Sequence, residues 1–157
     1  MSGPLLVIHE RIGHWARQLR PRLAGRVART VETRNGADLE TVLRGAGLAC
    51  PLLVLDLGRR VRAGLDDLQL ALSVSPDLLS LVLDPFEHEG VELLAREIGA
   101  THVVSGPITP PAVADLLRGW VVVAQRREEA AGWTGEPSLT EPEPWNWLKP
   151  LLAPRRP

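Results

Sequence analysis

Four short, almost uninterrupted apolar runs most constrain what this chain can fold into: LLVIH at 5–9, PLLVLDL at 51–57, LLSLVL at 78–83 and THVVS at 101–105. A strand solvated on one face alternates apolar with polar residues, whereas a strand covered on both faces does not need to. These four therefore read as strands buried on both sides. A fifth run, VARTV at 27–31, does alternate and suits an edge strand with one wetter face.

Between the runs the apolar period changes to that of a helix. Ile12, Trp15, Ala16 and Leu19 follow i, i+3, i+4, i+7, and Leu39, Val42, Leu43 and Ala46 repeat the spacing. Val61, Leu65, Leu68 and Leu72 share a third helix face. Val91, Leu94, Ala95 and Ile98 share a fourth, which Gly99 ends. A fifth helix opens at Thr109-Pro110, a capping residue with proline at the first helical position, and turns Val113, Leu116, Leu117 and Trp120 inward.

Strands that alternate with helices imply a parallel sheet, because each crossover must return over one face and needs a dozen or more residues to do so. The expected fold is α/β: a three-layer (βα)5 doubly wound parallel sheet of order 2-1-3-4-5. Chemistry in such a sheet belongs at the switch point, beyond the carboxyl ends of the first and third strands.

At 157 residues the chain can bury roughly 70% of its unfolded surface in one core without a disulfide or structural metal. No run reaches the length of a membrane span, and the N-terminus lacks the basic-then-apolar pattern of a secretory signal, so a cytoplasmic address is expected. The single cysteine, Cys50, precedes Pro51 at the start of an apolar run and reads as a small buried hydrophobe. Residues 1–36 carry seven arginines against two glutamates, while the remainder is acidic. Those arginines are spread through helix and strand positions without interleaved aromatics, which points to a solvated face rather than a nucleic-acid surface.

After Glu129 the composition shifts. Residues 129–144 are rich in glycine, proline and glutamate and read as a linker, while 145–157 form a Pro/Trp-rich C-terminal tail. Trp145, Trp147, Leu148, Leu151 and Leu152 make this tail a candidate partner-binding segment, docking either on the chain's own domain or on another protein.

Over about residues 4–125 the pattern resembles the receiver domain of bacterial response regulators. Two stretches carry the likeness: LLVLDLG at 52–58, similar to the third strand with its phosphoacceptor aspartate, and LAREIGATHVVSGPITPPAVADLL at 94–117, similar to the last βα unit. The resemblance implies an acidic pair after strand one, an aspartate after strand three, a hydroxyl after strand four and a lysine after strand five. These converge on Mg²⁺ and a phosphoryl group, since in-line phosphoryl transfer depends on position and charge neutralisation. Here the acidic pair falls on His9 and Glu10, the phosphoacceptor on Asp56, the hydroxyl on Asp84, and the lysine on Gly106 beside Ser105.

Loss of the lysine, and a carboxylate at Asp84, both disfavour an aspartyl phosphate. The expectation is a degenerate pseudo-receiver: a non-catalytic regulatory or adaptor module that binds unidentified protein partners, with no required cofactor. A homodimer through the face of helix 4, strand 5 and helix 5 is implied by the resemblance. Two alternatives stay open. One is an atypical phosphoreceiver using Asp56 in two-component-type signalling. The other is a divalent-metal-dependent enzyme built on Glu10, Asp56 and Asp84, with Glu10 and Asp56 as the candidate ligands of Mg²⁺. The Gly-rich phosphate loop and the nucleophile elbow of hydrolases are both missing from the sequence.

Overall fold

The computed structural model describes residues 3–47 and 49–132. Five βα units follow one another: β1 (Leu5–His9), α1 (His14–Leu23), β2 (Arg29–Thr33), α2 (Gly36–Arg44), β3 (Leu52–Asp56), α3 (Val61–Val74), β4 (Leu79–Asp84), α4 (Val91–Ile98), β5 (His102–Ser105) and α5 (Pro110–Gly132). All strand pairings are parallel, and the order is β2-β1-β3-β4-β5.

The continuous apolar runs have the expected cause. Leu6, Ile8, Leu52, Val54, Leu81 and Leu83 point to one face and pack with α1 and α5. Leu5, Val7, Leu53, Leu55, Val82 and Val103 point to the other and pack with α2, α3 and α4. Each fully buried leucine contributes roughly 1.5–3 kcal/mol by leaving water, so the two faces together hold the sheet between its helical layers. Cys50 is buried, and its thiol donates to the Asp77 carbonyl.

Four details differ from what the sequence leads one to expect. β2 starts two residues later than VARTV, because its register is fixed by β1: Leu5 pairs with Arg29 and His9 with Thr33. Ile12 was expected on the buried face of the first helix, but α1 begins only at His14, after Gly13 in the left-handed region (φ 73°), and Ile12 is 75% exposed. Leu94 is likewise 46% exposed, because in the short α4 only Val91 and Ala95 are fully covered. α5 continues to Gly132, so residues 129–132, expected in the linker, are helical. The rest of the linker and the Trp/Leu tail lie outside the described residues. Among the described residues no helix is long and apolar enough to cross a membrane.

Candidate functional site at the carboxyl ends of the strands

Glu10 directly follows β1 and is 1% exposed. Its Oε2 accepts from the Trp15 amide at 2.9 Å and its Oε1 from the Ala16 amide at 2.7 Å. The carboxylate thus satisfies two of the amides that every helix leaves unpaired at its start, and sits at the positive end of the α1 dipole. Both oxygens are engaged in this cap.

His9 ends β1 and is also buried. Its Nε2 lies 2.8 Å from Asp67 Oδ2 on α3, and its Nδ1 lies 2.8 Å from Thr33 Oγ1 on β2. An ionised carboxylate can only accept, so Nε2 donates to Asp67, while Nδ1 shares a hydrogen bond with the Thr33 hydroxyl. The chain Asp67-His9-Thr33 ties α3 to β1 and the edge strand β2. Thr33 is 2% exposed, which denies a substrate access to its hydroxyl.

Asp56 ends β3 and is half-buried. Its Oδ1 accepts from the Gly58 amide at 3.0 Å. Burial pushes its carboxyl above the ordinary range, and the nearby Glu10 charge adds to that effect. The Gly58 amide and the Trp15 indole act the other way. Asp56 lines a cavity of about 360 Å³ whose other walls include Ile12, Leu57, Pro85 and Phe86, with Arg11 and Arg59 at its edge. On its other side, the crevice shared with Glu10, His9 and Asp67 holds only about 10 Å³, at the lower limit for a single water.

Asp84 ends β4 with no exposed surface. Its Oδ2 accepts from the His88 amide at 2.7 Å, and its Oδ1 lies 2.6 Å from His88 Nδ1. Its own carbonyl accepts the amides of Glu87 and Gly106. Asp84 therefore organises the turn between β4 and α4, a task for which an aspartate before proline is well suited. His88, four residues on, is its partner.

Gly106 follows β5 at φ 88°, a region that other residues rarely adopt. A β-carbon there would lie 2.8 Å from Glu87 Oε1. Glu87, itself at φ 51°, thus fills the space into which a side chain at 106 would emerge.

Glu10 and Asp56 are neighbours, but Asp84 is turned away onto His88. The expected three-carboxylate cluster is not assembled, and among the described residues no group of three His, Cys, Asp or Glu side chains could hold a metal ion. With both Glu10 oxygens committed to α1, the donor set does not fit Mg²⁺. Sequence reasoning missed Asp67 and Glu87, whose roles depend on contacts across the fold.

The geometry that decides the comparison is the sheet order with an aspartate closing β3 at the switch point. The fold is that of a response-regulator receiver domain. A response regulator from Burkholderia pseudomallei, with a phosphorylated aspartic acid and a calcium ion, superposes with a TM-score of 0.61 at 16% identity, covering 82% of this chain and 74% of that one. The N-terminal receiver domain of a two-component response regulator from Bacteroides fragilis gives 0.62 at 18% identity, over 79% and 98%. A CheY-like protein, TadZ, from Pseudomonas aeruginosa gives 0.58 at 19% identity, over 74% and 98%. No protein-family model matches the sequence, and no curated protein shows significant similarity to it. The receiver comparison therefore rests on structure.

Proposed function

We propose that this chain is a receiver-type regulatory or adaptor module that binds protein partners and does not take up a phosphoryl group at Asp56. One observation carries the reading: the position of the receiver lysine is Gly106, held at positive φ with the Glu87 carboxylate packed against it. A phosphoryl group on Asp56 would find a carboxylate on the side where a receiver supplies a cation.

The partner surfaces follow from exposure. Leu93 and Leu94 on α4 are 64% and 46% exposed, and Val122 and Val123 on α5 are 47% and 41% exposed, on either side of the edge strand β5. These residues suit a protein interface or a homodimer. The Trp/Leu segment at 145–157 is a second candidate for contact.

A phosphoreceiver reading has one specific support: Asp56 is in the phosphoacceptor position and reaches the 360 Å³ cavity. Incubation with a small-molecule phosphodonor and Mg²⁺, read by intact mass, separates the two. The proposal expects no gain of about 80 Da, the mass of one phosphoryl group. A stoichiometric adduct lost in Asp56→Asn would overturn it. The metal-enzyme reading finds no support in a donor set that does not fit the ion.

A further inference from the structure

The mouth above Asp56 is unusual for an exposed surface. Ile12, 75% exposed, and Phe86, 52% exposed, stand on either side of it. Phe86 is the only phenylalanine in the chain. Around these apolar groups stand four exposed arginines: Arg11 and Arg59 at the cavity, and Arg60 and Arg62 in an adjoining hollow of about 610 Å³ that Arg59 also lines. Among the described residues none of the four makes an ion pair. The Arg59 guanidinium lies over the Phe86 ring at 5.3 Å. Asp56 and Asp66 are the carboxylates lining these two hollows, so the arginines outnumber them. A ligand that fits must bring aromatic or aliphatic groups together with carboxylates.

The chain supplies such a segment itself. After Gly132 come Glu136, Glu141 and Glu143 with no basic residue before Lys149, and directly beyond the acids come Trp145, Trp147 and Leu148. Length permits the return. α5 starts beside the mouth, after β5, and its 23 residues carry the chain to the opposite end of the sheet, about 34 Å at 1.5 Å per residue. From Gly132 to Trp145 an extended chain spans up to about 43 Å at 3.3 Å per residue. The prolines at 137, 142 and 144 favour extended backbone and lower the entropy cost of that path. A nearer hollow of about 480 Å³ lies beside the end of α5. Its cation, Arg127, already donates to the Asp77 carbonyl, and Glu128 accepts the Cys50 amide, so it offers the acids less.

We propose that the mouth above Asp56 is the docking surface for the chain's own segment 141–148, with Glu141 and Glu143 against the arginines at 11, 59, 60 and 62 and the tryptophans against Ile12 and Phe86. The proposal goes beyond the regulatory reading and holds whether or not Asp56 accepts a phosphoryl group.

The test uses the full chain carrying Cys50→Ala and Asn146→Cys, spin-labelled at 146, with its amide resonances followed in dilute solution. Amide dispersion matching the unlabelled chain shows that the fold is kept. The proposal expects the peaks of Ile12, Gly58 and Phe86 to lose most of their intensity, independently of dilution. It expects Arg59→Glu with Arg60→Glu to restore those peaks, and addition of Glu141→Arg and Glu143→Arg to bring the loss back. Broadening at Ala49, Ala130 and Ala131 instead, or no broadening, would overturn it. So would broadening that appears only when labelled and unlabelled chains are mixed, which would mean a second copy occupies the mouth. Survival of the effect through the arginine reversal would also overturn it.

Discussion

The two halves of the mouth contrast sharply. On the β1/β3 side the carboxylates Glu10 and Asp56 stand where a receiver has them, but Glu10 has both oxygens bound to the start of α1. On the β4/β5 side the receiver's hydroxyl and lysine give way to Asp84 and Gly106. The space is taken by two pairings within the fold, Asp84 with His88 and Gly106 against Glu87. One half keeps its residue types and the other replaces them, yet in each a buried carboxylate, Glu10 or Asp84, is committed to holding the scaffold together. A site whose buried carboxylates, Glu10 and Asp84, are satisfied by neighbours has little left with which to neutralise a ligand's charge.

Substitutions on each side should separate these uses. The largest effect is expected from Glu10→Ala, which strips a cap and leaves two buried amides unpaired. The urea midpoint should fall by the equivalent of about 2–3 kcal/mol. If it does not move, the cap is not what holds Glu10 in place. Next is Gly106→Lys, which restores the receiver's residue type. Its left-handed backbone should cost about 1–2 kcal/mol in the same assay, and the restored lysine should face Glu87 rather than Asp56. A gain of phosphoryl uptake in this variant would show that only the lysine was missing. Asp84→Asn is expected to cost about 1 kcal/mol by weakening the bonds to His88, with the exposure of the β4–α4 turn rising in hydrogen exchange.

The smallest effect has the opposite sign. Folded Asp56 holds its proton more tightly than the unfolded chain does. Its contribution to stability is therefore full at low pH and is lost as pH rises from the ordinary value of 3.8 through the raised one. At neutral pH the charge opposes folding. Asp56→Asn should raise the melting temperature there, by less than about 1 kcal/mol in free energy, and the gain should vanish below pH 3.8. A neutral or destabilising result at pH 7 would show that Asp56 has a favourable partner in the fold.

The scaffold was legible because burial on both faces leaves a direct trace: LLVIH and LLVLD have no polar alternation to mislead. β2 was legible as an edge strand but not in its ends, since its backbone register depends on β1 rather than on its own side chains. Asp56 could be placed from the sequence because it closes an apolar run. The cap made by Glu10 could not, because its carboxylate reaches amides five and six residues on, outside the usual capping spacing. The pairing of His9 with Asp67 spans 58 residues of sequence and exists only because β1 and α3 meet in the fold. Asp84 precedes Pro85, a pairing that favours turns, and the turn it starts is what removes it from the carboxylate cluster.

The central claim is that this switch point cannot hold a phosphoryl group with its metal. Beryllium fluoride, a surrogate for the phosphoryl group, offers the most direct measurement when added with Mg²⁺ while thermal unfolding is followed. Anything that binds only the folded state raises the melting temperature, so the account predicts none beyond that caused by Mg²⁺ or fluoride alone. A concentration-dependent rise that needs both components and disappears in Asp56→Asn would contradict it.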